Sequence, residues 1–170
     1  MPRTKKEHII SKDEKQAADL QIKEMQKQID YDTRDFTIEL LITKFEKKDF
    51  FIPPYQRDFV WQPKNKTLFL ESVFLGLPIP FMFFADCDNG KQEVIDGAQR
   101  MQTLVEFYNN QLQLSGLKKL TKLNGFYFKD LSDTQQRKFL NKALRIIILE
   151  EDTPTAARQD LFYRINTTEI

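Results

Sequence analysis

The chain has 170 residues, of which 41% are apolar and 15 are phenylalanine, enough to bury the core of one domain and carry an appendage. Its 26 basic and 25 acidic residues nearly cancel, which excludes a global positive field that would draw in DNA and leaves room only for a local basic patch. The single histidine, His8, lies in a polar N-terminal stretch and the single cysteine is Cys87, which excludes Ser-His and Cys-His catalysis, histidine-bearing zinc sites, histidine-based nucleases and an internal disulfide. A lone cysteine fits a reducing cytoplasm. No apolar run reaches the ~18 residues of a membrane span, and the N-terminus has no signal-peptide core, so a soluble cytoplasmic protein is expected.

Residues 1–34 read as an N-terminal extension, disordered over the first ten residues and helical after Ser11. Ser11-Lys12-Asp13-Glu14 has capping-box form, and Ala18, Ile22, Met25 and Ile29 fall on one helical face. That narrow stripe suits a surface helix; two heptads are too few for a coiled coil. The domain proper is placed at 35–170. Thr37 is predicted to cap a helix that turns Ile38, Leu41, Ile42 and Phe45 inward. The apolar run Phe50-Phe51-Ile52 is stopped by Pro53-Pro54, which force an extended path.

Tyr55 to Trp61 interleaves aromatic and polar residues on an expected exposed connection, where Trp61 and Phe59 either join the core or stack on a base. Pro63 suits a helical first turn, with the helix ending at Gly76. Phe81 to Ala85 reads as a buried strand, Asp88-Asn89-Gly90 as a hairpin with a type I′ turn, and Gln92 to Ile95 as the returning strand. From Ala98 to Asn109 the pattern is helical, with Met101, Leu104, Val105 and Tyr108 on one face. Residues 112–128 are irregular, with a turn at Asn124-Gly125. Ser132 opens a helix to about Lys142, Leu144 to Leu149 reads as a central β-branched strand, and Thr153-Pro154 starts a helix burying Ala157, Leu161 and Ile165.

The chemistry concentrates where the strand ending at Asp96 meets the helix starting at Ala98. A helix N-terminus offers unpaired amides and positive dipole, and Gly97 lets an anion approach them. Arg100 can add a charged fork matched to phosphate oxygens, and Gln99 can donate to phosphate or orient a water. Asp96 would repel phosphate, so it binds Mg²⁺, accepts from a ribose hydroxyl or fixes Arg100. Gln102 and Thr103 are further contacts one turn on. Upstream, either Gln56 and Arg57 reach the same phosphates or Arg57 is a solvated arginine stacked on Tyr55. An isolated D-G-x-x-R is commonly a plain turn with a surface arginine; the strand-to-helix junction is what distinguishes this one.

Several spaced motifs then add up. Ile52-Pro53-Pro54-Tyr55-Gln56-Arg57, Phe59-Val60-Trp61, Glu71-Ser72-Val73, Gly76-Leu77-Pro78-Ile79-Pro80, Val94-Ile95-Asp96-Gly97-Ala98-Gln99-Arg100 and Phe162-Tyr163-Arg164-Ile165-Asn166-Thr167 occur in the order of a known family. The chain resembles the N-terminal domain of GmrSD-type modification-dependent restriction proteins from about Asp35 to Thr168. The resemblance implies an α/β (α+β) fold of ParB/sulfiredoxin type, a small mixed sheet flanked by helices. It also implies nucleoside triphosphate binding with Mg²⁺, and hydrolysis that controls DNA cleavage in phage defence.

Carried over, it makes Asp96, Gln99 and Arg100 the catalytic set. Gln56, Arg57, Gly97, Ala98, Gln99, Arg100, Thr103, Arg164 and Asn166 become nucleotide contacts, and Asp96 with Asn166 metal ligands. DNA would be engaged through a nuclease domain or partner protein. Two departures matter: the family more often has Gln at Ala98, and its nuclease segment is absent, so cleavage of DNA by these residues alone is not expected. The alternatives are a ParB-like DNA-binding module and a nuclease using carboxylate-held metal ions.

Overall fold

The capping box at Ser11 forms as its spacing demands. Ser11 Oγ accepts from the Glu14 amide at 3.2 Å while the Glu14 carboxylate accepts from the Ser11 amide at 2.8 Å, starting helix α1 (Lys12–Gln26). The computed structural model of the protein describes residues 7–54 and 60–167. The chain divides into two units, Met1–Asp30 and Tyr31–Ile170. None of the α1 residues is buried. The predicted start of the domain at Asp35 misses a strand, β1 (Tyr31–Thr37), which belongs to the second unit.

In the second unit, Thr37 Oγ1 accepts from the Leu40 amide and caps α2 (Ile38–Glu46), burying Ile38, Leu41 and Ile42 as the spacing predicts. A two-residue strand, β2 (Phe50–Phe51), precedes the prolines. Helix α3 (Pro63–Leu75) has its proline in the first turn and Gly76 at its end, as predicted. Strands β3 (Met82–Asp86) and β4 (Gln92–Asp96) follow. Their hairpin differs from the expected type I′ turn. Only Gly90 has positive φ, and Gly90 donates its amide to the Cys87 carbonyl, which is the three-residue loop in which a single glycine takes the left-handed position.

Helix α4 (Ala98–Tyr108) buries Met101 and Leu104, but Phe107 takes the place expected for Tyr108, which is 36% exposed. Packing on both α2 and α3 turns α4 by a fraction of a residue from its predicted face. Helix α5 (Asp133–Leu140) starts at the Ser132 cap and ends two residues early; β5 (Ala143–Leu149) and α6 (Thr155–Thr167) complete the unit.

The five strands lie in the order β1-β5-β3-β4-β2, with β5 parallel to β3 and β4 parallel to β2, and the other pairs antiparallel. The architecture is a mixed α+β sheet flanked by helices. Leu144, Ile146 and Ile148 of β5, with Met82, Phe84 and Val94, face the main core against α2 to α5. The opposite face carries a smaller cluster, Ala85, Ile95 and Leu149, covered by Leu161 and Phe162 of α6. Between β3 and β4 the register slips: Phe83 pairs with Asp96 and Phe84 with Val94, leaving Ile95 as the extra residue of a bulge just before the Asp96-Gly97 turn. No helix among the described residues is long and apolar enough to cross a membrane.

Candidate functional site

Gly97 joins β4 to α4 with φ +107° and acts as the helix cap, itself contributing no side-chain bond to the first-turn amides. A Cβ here would stand 2.6 Å from Cγ and 2.8 Å from Sδ of Met82. The turn is therefore pressed onto the core, and only glycine admits both the dihedral and the contact. Ala98, next in line, is itself buried.

Arg100 occupies the first turn of α4, as predicted, but its guanidinium is directed inward. Nη2 donates to Asp96 Oδ2 at 3.0 Å, and Nη1 donates to the Pro80 carbonyl and lies 3.5 Å from that of Phe81. The two side chains are only 9% and 12% exposed. Of the three roles open to Asp96, the one observed here is fixing Arg100. The pair ties the end of β4, the first turn of α4 and the loop entering β3 into one knot. Gln99 makes a second tie, its Oε1 accepting from the Trp61 amide at 2.9 Å while its Nε2 donates to Gln102 Oε1 at 3.3 Å. Trp61 is half-buried, edge-on to Phe69 at 5.7 Å, in line with its reading as core. Thr103 is fully buried and donates to the Gln99 carbonyl at 2.7 Å, so its hydroxyl serves the helix.

The upstream pair, Gln56 and Arg57, lies outside the described residues, as does the side chain of Asn166 in the last turn of α6. Arg164 is on the exposed side of α6 and donates to Asp160 Oδ2 at 2.7 Å. The structure thus brings Asp96, Gly97, Ala98, Gln99 and Arg100 together at one junction, while Arg164 stands on a different helix. Two openings are described, about 460 Å³ beside Leu77, Phe81, Lys142 and Arg145, and about 250 Å³ beside α2 and Tyr108. Neither is lined by residues 96–100. Among the described residues there is no cluster of three metal-ligating side chains.

Reading the sequence misses a second knot. Arg158 of α6 is buried and donates to Glu93 Oε2 at 3.0 Å and to the carbonyls of Thr153, Asp86 and Glu151 at 3.0, 2.9 and 3.0 Å. Burial opposes its charge, but the hydrogen bonds to Glu93 and Cys87 outweigh that and raise its pKa above the ordinary arginine value. The signal in the sequence was Glu93 inside the expected strand Gln92 to Ile95; the structure buries all five residues of that strand, and a carboxylate there requires a cation. Thr153, at the expected start of α6, does not cap that helix. Its hydroxyl is buried with no partner among the described residues, because the turn is closed by Arg158 on the Thr153 carbonyl instead. Glu71 is a second unforeseen buried carboxylate, accepting from the amides of Lys119 and Leu120 at 3.2 and 3.1 Å.

No curated protein and no solved structure matches the chain. The family model described as GmrSD restriction endonuclease, N-terminal domain, matches residues 38–170, which takes in α2 to α6, both knots and the Asp96–Arg100 junction. The chain belongs to the GmrSD N-terminal domain family.

Proposed function

We propose that this domain binds a nucleoside triphosphate at the β4–α4 junction and serves as the regulatory part of a restriction, or phage-defence, protein. The observation that carries the reading is the start of α4: its cap is Gly97 at φ +107°, a residue with no side chain to bond or screen the first-turn amides. Such a terminus attracts anions through its N–H groups and dipole. In this reading the backbone amides and Gln99 meet the phosphates, while the Asp96–Arg100 pair holds the turn in shape. Arg100 is accordingly a positioning residue here. Asp96 Oδ2 already accepts from Arg100, so in this reading Mg²⁺ arrives with the ligand, held chiefly by its phosphate oxygens. Turnover of the nucleotide, and engagement of DNA through a nuclease domain or partner, belong to the same proposal.

The test is a thermal-shift screen of ATP, GTP, CTP and UTP with and without Mg²⁺. At a hundredfold excess over Kd a ligand adds about 2.7 kcal/mol, which for a domain of this size raises Tm by roughly 10 °C. The Gln99→Glu variant separates binding from folding. It keeps an acceptor for the Trp61 amide and suits the helix N-terminus, so the fold persists, yet it places a negative charge where phosphate would sit. A nucleotide shift that survives in Gln99→Glu, or no shift with any triphosphate, defeats the proposal.

A further inference from the structure

Strand β1 is the outer strand of the sheet, paired to β5 along seven residues on one side only. Apart from half-buried Phe36, every residue of β1 is exposed, and among the described residues no strand pairs with its outer edge. The next amide along, that of Ile38, reaches across to the Lys142 carbonyl, whereas the Thr33 amide is turned away and is held by Asp32 Oδ1 at 2.9 Å. In an extended strand successive amides alternate sides, so Asp32, Arg34 and Phe36 bond β5 while Tyr31, Thr33 and Asp35 present N–H and C=O outward.

Charges on an edge strand normally discourage pairing. On β1 their order favours one partner, a second copy of the same strand. A two-fold antiparallel pairing through the outward groups must set odd residues against odd. With the axis at Asp32 or at Arg34, like charges meet across it; with the axis at Asp35, two carboxylates face each other. With the axis at Thr33, Asp32 faces Arg34 of the second copy and Arg34 faces its Asp32. Within one copy these two side chains already attract each other, with Arg34 Nε 3.0 Å from Asp32 Oδ2. The same register sets Tyr31 against Asp35.

We infer that the protein self-associates as a two-fold dimer through β1, with Thr33 on the axis and the two five-stranded sheets joined edge to edge. The Asp32 carboxylate, released from the Thr33 amide by the incoming strand, takes Arg34 of the second copy.

Sedimentation of the 170-residue chain over a concentration series at low salt tests this. The mass should rise from 20.2 kDa towards twice that value. Arg34→Asp turns both cross-strand pairs repulsive and should weaken the dimer by roughly tenfold or more. Adding Asp32→Arg restores opposite charges in the same register and should recover self-association. The register is read by disulfide formation in a Cys87→Ser background. Thr33→Cys brings two thiols onto the axis with Cα atoms about 5.5 Å apart, within disulfide reach. Tyr31→Cys separates them by about 13 Å and should not cross-link. A chain that stays monomeric throughout, an Arg34→Asp variant that associates unchanged, or Tyr31→Cys cross-linking as readily as Thr33→Cys overturns the inference.

Discussion

Replacing Gly97 by alanine asks how tightly the junction is built. The residue sits at φ +107°, beyond the usual left-handed basin, and holding an L-residue in so sparse a region costs about 1–3 kcal/mol. The new methyl would also stand 2.6 Å from Met82 Cγ, and Met82 is only 1% exposed, so a packed side chain must move at a further cost of about 1–3 kcal/mol. Together these predict a loss of about 3–4 kcal/mol and a fall in Tm of roughly 10 °C. Urea unfolding measures it, with the midpoint lowered and the slope unchanged. The steric share is isolated by a double-mutant cycle with Met82→Ala, which removes Cγ and Sδ and leaves Cβ at 3.0 Å. In that background Gly97→Ala should cost at least about 1 kcal/mol less. A loss below about 1 kcal/mol, or no coupling to Met82, would refute the account of the turn.

Removing Arg158 should be among the costliest substitutions in the chain: Arg158→Ala takes a charged hydrogen bond from buried Glu93 and the guanidinium donor from three carbonyls, and should cost about 3–5 kcal/mol in urea unfolding. Replacing Glu93 as well, by leucine, should recover part of that loss, and a double variant as unstable as the sum of the singles would speak against the pair. Asp35 is held below the ordinary carboxylate pKa of 3.8, first by its hydrogen bond from Arg145. A depressed folded pKa contributes stability present above that ordinary value and lost as pH falls through the folded one. The stability difference between the native chain and Asp35→Asn should therefore shrink as pH falls below about 4, and a difference constant through that range would contradict the assignment.

Much of the local structure was legible because it depends on near neighbours. Ser11, Thr37 and Ser132 cap helices through amides three residues on, and Pro63 and Gly76 bracket α3 through their own dihedral preferences. The strand-to-helix junction at Gly97 was legible for the same reason. β1 was not: with both faces in solvent it shows no hydrophobic alternation, and its strand identity comes from pairing with β5, more than a hundred residues away. Tyr108 and Phe107 could be ordered only once α4 was packed between α2 and α3, because both lie near the edge of the same apolar stripe.

The residues of the candidate site were named from sequence, but their roles were decided by the tertiary structure. Sequence alone places Asp96, Gly97 and Arg100 at a helix start, since four consecutive peptide units define that turn. It does not reveal that Arg100 turns inward to the carbonyls of Pro80 and Phe81, or that Glu93 meets Arg158 across 65 residues. A charge buried away from water requires partners, and which partners are near is set by the packing of whole elements against the sheet.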